Sequence, residues 1–513
     1  MRLGIDLGTT RTVVAYADRG NYPVVDFVDE AGDSRGFIPS LVAERSGELR
    51  FGFDAAAVAS DPSFAPLRSF KRLLSGAEAN PTQTVRVGST ELGLTDLLGR
   101  FLSHVREALR TRSNLGKKMD HAREVSVAIG VPANAFAAQR LMTLEAFRRA
   151  GFVVRAIVNE PSAAGFEYTH RHSSTVTSRR DAVVVYDLGG GTFDASLVRV
   201  AGRHHEVLGT AGINRLGGDD FDAVLSELAL GSLGLALYNF PIGVAERWLE
   251  QCRIVKEALN PSSRKVTLDL EALLGLSAPK PEVSLPTAAF YEACMPLVEQ
   301  TLDVMAPLIS RVEGDPELNE IAGLYVVGGG SELPVVGRAL RDRFGRRVHR
   351  SPYASAAVAI GLAIASDDEG TFQLVDRTAR AFSVFRESDT GREVVLDPIF
   401  ERDAVLPPVG EPLERTRTYH AAHNIGHYRF FECSAVDESG KPRGDMALCG
   451  DALFPFDPAL LGARDLASVP VDRLGREGPR IVEYYALDHN GIVHVRIVNA
   501  DAGYERSYEV GRR

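Results

Sequence analysis

One pattern occurs twice in this chain and limits what it can fold into more than any other. Leu3-Gly4-Ile5-Asp6-Leu7-Gly8-Thr9-Thr10 leads into Thr12-Val13-Val14-Ala15-Tyr16. Far downstream, Val183-Val184-Val185-Tyr186-Asp187-Leu188-Gly189-Gly190-Gly191-Thr192 leads into Phe193-Asp194-Ala195-Ser196-Leu197-Val198. Each copy reads as a strand, an aspartate at its end, a glycine-rich turn and a second strand. The spacing is about one lobe, so the repeat predicts a duplicated α/β fold with two lobes facing a common cleft. Between the copies, Leu94 to Leu109 has helical apolar spacing, and Val125 to Val131 is a strand ending at Pro132. Phe136 to Ala150 is a helix stopped by Gly151, and Val153 to Val158 is another strand. Asn159-Glu160-Pro161-Ser162 then starts a helix with proline in its first turn. This alternation predicts a mostly parallel sheet. Residues 172–180 read as a loop; helices follow over Ala245 to Leu259, Val335 to Phe344 and Ser355 to Ala365, with strands at Val266 to Leu270 and Leu324 to Val327.

After Ser366 the pattern changes. Asp367 to Gly370 is a polar break, and short alternating segments follow at Arg380 to Phe385, Arg392 to Leu396, Tyr428 to Cys433 and Ile492 to Val498. His489-Asn490-Gly491 marks a hairpin. A chain of 513 residues exceeds what one core organises. The expected division is an α/β domain over 1–366, a linker over 367–377 and an antiparallel β domain over 378–513. The net charge of -10, with no basic face, gives no reason for a nucleic-acid partner. No apolar run approaches the ~20 residues that span a bilayer, and no secretory leader is visible, so membrane association is not expected. Cys252, Cys294, Cys433 and Cys449 form no C-x-x-C pair and read as reduced, buried thiols of a cytoplasmic protein. The histidines show no H-x-x-H pattern, which argues against zinc.

A phosphate cradle needs backbone N–H groups converging without Cβ atoms in the way. Gly8-Thr9-Thr10, Gly189-Gly190-Gly191-Thr192 and Gly328-Gly329-Gly330-Ser331 each follow a strand, and Gly217-Gly218-Asp219 opens a helix. No G-x-x-x-x-G-K-[ST] loop is present, so P-loop chemistry is excluded. Asp6 and Asp187, at strand ends beside these turns, suit Mg²⁺ held through its bound water. Phosphoryl transfer also needs a cation and a positioned water, for which Lys71 and Glu160 are candidates. Arg11, beside Thr10, could reach a phosphate or be a solvated arginine. Trp248 reads as packing.

In combination and order, these motifs resemble the heat shock protein 70 (DnaK-type) chaperone family. Ile5 to Thr10 is similar to its first phosphate motif, and Phe70-Lys71-Arg72-Leu73 to the segment of its catalytic lysine. Val131-Pro132-Ala133 with Arg140 resembles its proline–arginine switch. Asn159 to Ala164 resembles the motif whose glutamate couples to that lysine. Asp187 to Asp194 matches the second phosphate motif letter for letter, and Leu216 to Asp222 and Val327 to Ser331 resemble the later nucleotide loops. The resemblance implies an actin-like two-lobed nucleotide-binding domain followed by a β-sandwich, binding ATP or ADP with Mg²⁺ and hydrolysing ATP. It implies that Lys71 orients the attacking water, that Asp6 and Asp187 hold hydrated Mg²⁺, and that Thr192 and Asp194 position water and γ-phosphate. Thr9 and Thr10 would meet the phosphates, Lys256 would lie on the base-contacting helix, and Pro132, Arg140 and Glu160 would pass on the nucleotide state. Implied partners are a polypeptide client, a J-domain co-chaperone and a nucleotide-exchange factor.

The chain also departs from the family. Arg253, Glu332 and Ser355 stand at altered adenine-side positions, and a carboxylate cannot stack on a purine as a guanidinium does. Phe372 to Asp376, where the family has its hydrophobic linker, is more polar at Gln373. Tyr428 occupies a central pocket position of the β domain, and no helical lid is expected after it. These departures predict weak, rapidly exchanging peptide binding, or docking of one dedicated partner, in place of ordinary client capture. A sugar kinase or filament protein of the same fold is disfavoured by the β-rich tail.

Overall fold

The computed structural model describes residues 1–172, 177, 180–274, 282–314, 321–367, 372–388, 391–437, 441–474 and 477–511. Most of the expected 172–180 loop and residues 368–371 of the expected linker lie outside these. Contacts divide the chain into two units. The first comprises 1–73, 84–134 and 145–375, the second 74–83, 135–144 and 376–513.

The repeat of the first unit appears as two antiparallel hairpins. Arg2–Leu7 pairs with Arg11–Tyr16, and Ala182–Leu188 with Phe193–Ala201. Each hairpin is extended by two parallel neighbours: Ser126–Val131 and Val153–Asn159 on the first, Ile321–Val327 and Val348–Arg350 on the second. The resulting five- and six-stranded sheets are mixed, a correction to the mostly parallel sheet expected from the sequence. The reason is local: the duplicated unit is itself a strand–turn–strand, and a turn that short can only reverse the chain. At the outer edge of the six-stranded sheet, Gln373–Val375 pairs with His204–Glu206, and Phe372 packs 5.6 Å from Phe166.

Helices at Glu160–His172 and Ala357–Ala365 pack on each other and on these sheets with almost no side-chain volume between them. A Cβ at Gly361 would stand 1.8 Å from the Ala163 carbonyl oxygen, and one at Gly4 2.2 Å from the Ala363 nitrogen. Small residues thus bring the strand tips and the helix starts together. The helices expected from 94, 136, 245 and 335 run over Leu94–Thr111, Ala137–Arg149, Ile242–Glu257 and Pro334–Phe344. Thr287–Gly314, to which the sequence pattern assigned nothing, is a 28-residue helix with Pro296 and Pro307 inside it. Its Phe290, Cys294, Val298 and Met305 are fully buried in the second lobe's core, so packing overrides the two breakers.

The second unit holds two four-stranded antiparallel sheets. One runs Glu393–Phe400, Ala381–Ser388, Ile425–Val436, Pro442–Pro455. The other runs Leu413–His420, Arg480–Leu487, Val493–Asn499, Tyr504–Glu509. Phe382, Phe430, Phe454, Tyr485, Val495 and Ile497 form their shared core. All four cysteines are free and buried.

The hairpin of Arg480–Leu487 and Val493–Asn499 turns where Asn490-Gly491 predicted. Gly491 has φ +74, and the Asp488 carboxylate accepts the backbone N–H groups of Asn490 and Ile492, both at 2.9 Å. His494 Nε2 lies 3.4 Å from the same carboxylate, and that hydrogen bond raises its pKa against the opposing effect of burial. A histidine whose folded pKa is raised stabilises fully below its unfolded value of about 6.5 and loses that contribution as pH rises through the folded value. His494→Gln should therefore remove a stability increment of under about 1 kcal/mol at pH 6 and change little at pH 9, read from urea unfolding at both pH values.

Candidate functional site

The strand tips, glycine turns and helix starts of the first unit enclose a cavity of about 350 Å³. Asp6 and Asp187 both line it, with Gly8, Thr9, Thr10, Lys71, Glu160, Gly189, Gly190, Thr192, Gly218, Lys256 and Gly328, Gly329 and Gly330. Gly191, Gly217 and Asp194 stand behind this lining. Pro132 is not part of it, and Arg140 belongs to the second unit, where its guanidinium donates to the Asn490 carbonyl oxygen at 3.4 Å.

The glycines are required by close approach. A Cβ on Gly217 would sit 2.6 Å from the Gly191 nitrogen, and one on Gly330 2.7 Å from the Gly189 oxygen. One on Gly328, whose φ is +83, would sit 2.4 Å from Asp187 Oδ1. Four loops distant in sequence are thereby nested. Gly218 N and Asp219 N donate to the Gly189 and Gly190 carbonyl oxygens at 2.9 and 2.8 Å.

Lys71 sits in the short Phe70–Leu74 helical turn, anchored by Phe70 packed 5.1 Å from Phe101. Its ammonium is buried and donates to Glu160 Oε1 at 2.8 Å. Burial works against the charge on Lys71, but Glu160 and Asp6 outweigh it and hold the pKa above its ordinary value. The surrounding carboxylates show the converse. Burial, then the Glu160 charge, push Asp6 and Asp194 each up to about 7, and Asp187 well above the usual carboxylate range. Asp194 is oriented by the Asn134 N–H, which donates to it at 3.3 Å. Four carboxyl groups thus crowd one ammonium, an arrangement that calls for further positive charge. Among the described residues no three His, Cys, Asp or Glu side chains are grouped to bind a metal directly. A cation here would be held through water and phosphate oxygens, which is how Mg²⁺ usually binds.

A second ionic layer lies beside the Gly217 loop, and sequence reading had not found most of it. Arg68 reaches Asp222 at 3.1 Å, Asp219 at 3.5 Å and Glu250 at 3.5 Å, and Arg72 reaches Asp220 at 3.1 Å. Lys256 Nζ is 2.8 Å from Asp222 and donates to the Gly218 carbonyl oxygen at 2.5 Å. Arg11 pairs with Glu257 at 2.5 Å and lies over Phe37, so the open choice between phosphate contact and solvated side chain resolves to an ion pair. Arg253 pairs with Glu250 and Glu257. The cluster of acids in Asp219-Asp220-Phe221-Asp222 and of bases in Phe70-Lys71-Arg72 was the available signal, but which pairs form depends on the loops' nesting.

Residues 2–376 match the family model for Hsp70 protein. The chain belongs to the Hsp70 family. It is similar to the chaperone protein DnaK of Mycoplasmoides gallisepticum (strain R(low / passage 15 / clone 2)), with 27% identity over 99% of this chain and 80% of that protein. It is also similar to the chaperone protein HscA of Cronobacter sakazakii (strain ATCC BAA-894), with 31% identity over 71% of this chain and 57% of that protein. Hsp70 membership makes the chain an ATP-binding ATPase of the chaperone type. Among the described residues no helix of this Hsp70 chain is long and apolar enough to cross a membrane.

Asp222 is fully buried and offsets two cations, Arg68 and Lys256. Asp222→Ala leaves both without their common partner, which should cost about 3–5 kcal/mol in guanidinium unfolding and loosen the Gly217–Gly218 loop.

Proposed function

We propose that this chain is an ATP-dependent chaperone-type switch. Mg-ATP is bound and hydrolysed in the cleft of an actin-like two-lobed domain, 1–366. The nucleotide state passes through 367–377 to a β-sandwich peptide- or partner-binding domain, 378–513. The observation that carries this reading is the buried Lys71–Glu160 pair, set among Asp6, Asp187 and Asp194 beside four nested glycine loops.

In this reading the backbone N–H groups of Gly8 to Thr10, Gly190 to Thr192 and Gly329 to Gly330 receive the phosphates, with the Thr9, Thr10 and Thr192 hydroxyls supplementing them. Gly217 N and Gly218 N, which donate to Asp220 and to the Gly189 carbonyl oxygen, hold the fourth loop against them. Asp6 and Asp187 hold hydrated Mg²⁺, which when bound neutralises phosphate charge. Lys71, kept protonated by Glu160, orients the attacking water and meets the negative charge that develops on the transferred group. Asp194, near 7 and fixed by the Asn134 N–H, is poised to hold that water's proton. Pro132, Arg140 and Glu160 couple the cleft to the second unit. A J-domain co-chaperone and a nucleotide-exchange factor are the partners such a switch calls for.

One observation favours a dedicated partner over unfolded clients. Tyr428 is buried, and its hydroxyl lies 2.6 Å from that of Tyr419, which donates to the fully buried Glu483 at 2.6 Å. Arg386 closes the network onto Glu483 at 2.7 Å and Asp397 at 2.6 Å. A polar network therefore stands at the central pocket position expected for Tyr428, and Arg386, Asp397, Tyr419 and Tyr428 line the cleft beside it.

Lys71→Ala should lower ATP turnover by on the order of 100-fold while retaining Mg-ATP binding in calorimetry; equal turnover in the two proteins would refute the assignment of Lys71. In the β domain, a labelled apolar heptapeptide should dissociate from the ADP state within seconds. Dissociation over minutes would restore the unfolded-client reading.

A further inference from the structure

We propose that Glu332 sets the base preference of the nucleotide cavity and turns it toward guanine, so that GTP is a substrate at least as good as ATP. This rests on the reading of the cavity as a nucleotide site.

In that reading the cavity has two ends. The glycine loops with Lys71 take the phosphates, and of the remaining lining Arg253, Glu257, Leu259, Glu332, Leu333 and Ser355 are left for the base. Leu259 and Leu333 give this second end apolar surface suited to a flat ring, so its specificity rests on polar groups still free to act. Most are already committed. Lys256 is spent on Asp222 and the Gly218 carbonyl. Arg253 is tied to Glu250 and Glu257, and Glu257 is shared between Arg253 and Arg11.

Glu332 differs. It ends the Gly329–Glu332 turn directly after the Gly328 loop, is exposed, and has no hydrogen bond or ion pair among the described contacts. Its backbone is held: Leu333 N donates to the Gly330 oxygen at 3.3 Å, and the buried Ser331 hydroxyl donates to the Gly328 oxygen at 2.7 Å. The uncommitted charged group at the base end is thus a carboxylate on a fixed turn, with two oxygens that only accept.

The purines answer that group differently. Guanine presents two adjacent donors on its pairing edge, N1–H and the N2 amine, which match the two oxygens of a carboxylate. Adenine presents one donor, the N6 amine, beside an N1 lone pair that a carboxylate repels. Ser355 can donate or accept and does not discriminate. Arg253, the arginine of the base end, is held in ion pairs with Glu250 and Glu257.

The test compares ATP, GTP and inosine triphosphate, which keeps N1–H and lacks the N2 amine, on the full chain with Mg²⁺. Calorimetric affinity and kcat/KM are measured for wild type and Glu332→Gln, whose amide offers one donor and one acceptor. Expected is the order GTP, then inosine triphosphate, then ATP in the wild type. In the variant the GTP-to-ATP ratio should fall roughly tenfold, mainly through weaker GTP binding. ATP preferred over GTP in the wild type, or an unchanged ratio in Glu332→Gln, overturns the proposal. Binding of ATP without GTP would sink this inference alone, whereas failure of all three nucleotides to bind would sink the nucleotide reading with it.

Discussion

A lysine ammonium out of water, with four carboxyl groups around it, is the constraint that the rest of the first unit serves. Taking one ion out of water costs several kcal/mol even after relaxation, so the Lys71–Glu160 pair persists only if the scaffold holds both partners in register. Lys71 is fixed by a turn whose Phe70 packs on Phe101. Glu160 is the first residue of its helix, with its Cγ only 3.1 Å from where a Cβ on Gly130 would stand. The excess negative charge is left unbalanced, and burial first, then the Glu160 charge, holds Asp6, Asp187 and Asp194 above their ordinary range. A site arranged this way is incomplete as protein alone and gains most from a cation-bearing ligand.

The second ionic layer explains how that site is framed. Arg68 ends the Ala65–Arg68 strand just before the Lys71 turn and Arg72 follows Lys71 within it, while Asp219, Asp220 and Asp222 come from the helix that the Gly217 loop opens. The segment carrying the lysine and the loop nested on Gly190 are thus pinned to each other by charge. Lys256 joins the same layer from the Ile242–Glu257 helix. Any ligand that reorders the loop is felt by three elements at once.

In the second unit the same physics works in the opposite sense. The Arg386–Glu483–Tyr419–Tyr428 network is closed, each charge having partners inside the sheets. Such a core favours one arrangement over many, because half of the network without the other leaves buried polar groups unpaired. That suits recognition of a defined surface better than accommodation of varied apolar side chains.

The strand–Asp–glycine–strand repeat, the glycine loops and the Asn490-Gly491 hairpin were all legible in the chain itself, because each depends on local geometry: strand alternation, turns needing residues without Cβ, a left-handed turn residue. Lys71 carries no such local signal and was singled out through the family resemblance. Packing decided what lay beyond that reach. The Thr287–Gly314 helix was hidden by Pro296 and Pro307, and only burial of its apolar face keeps it continuous. Arg11 could not be assigned a partner until the fold brought it to Glu257, nor Tyr428 a role until it met Tyr419. Pairing of charges and filling of pockets are properties of neighbours far apart in sequence, and spacing along the chain does not encode them. The sequence by itself determined the duplicated strand–turn–strand units and their glycine turns; the tertiary structure decided which charges remain free.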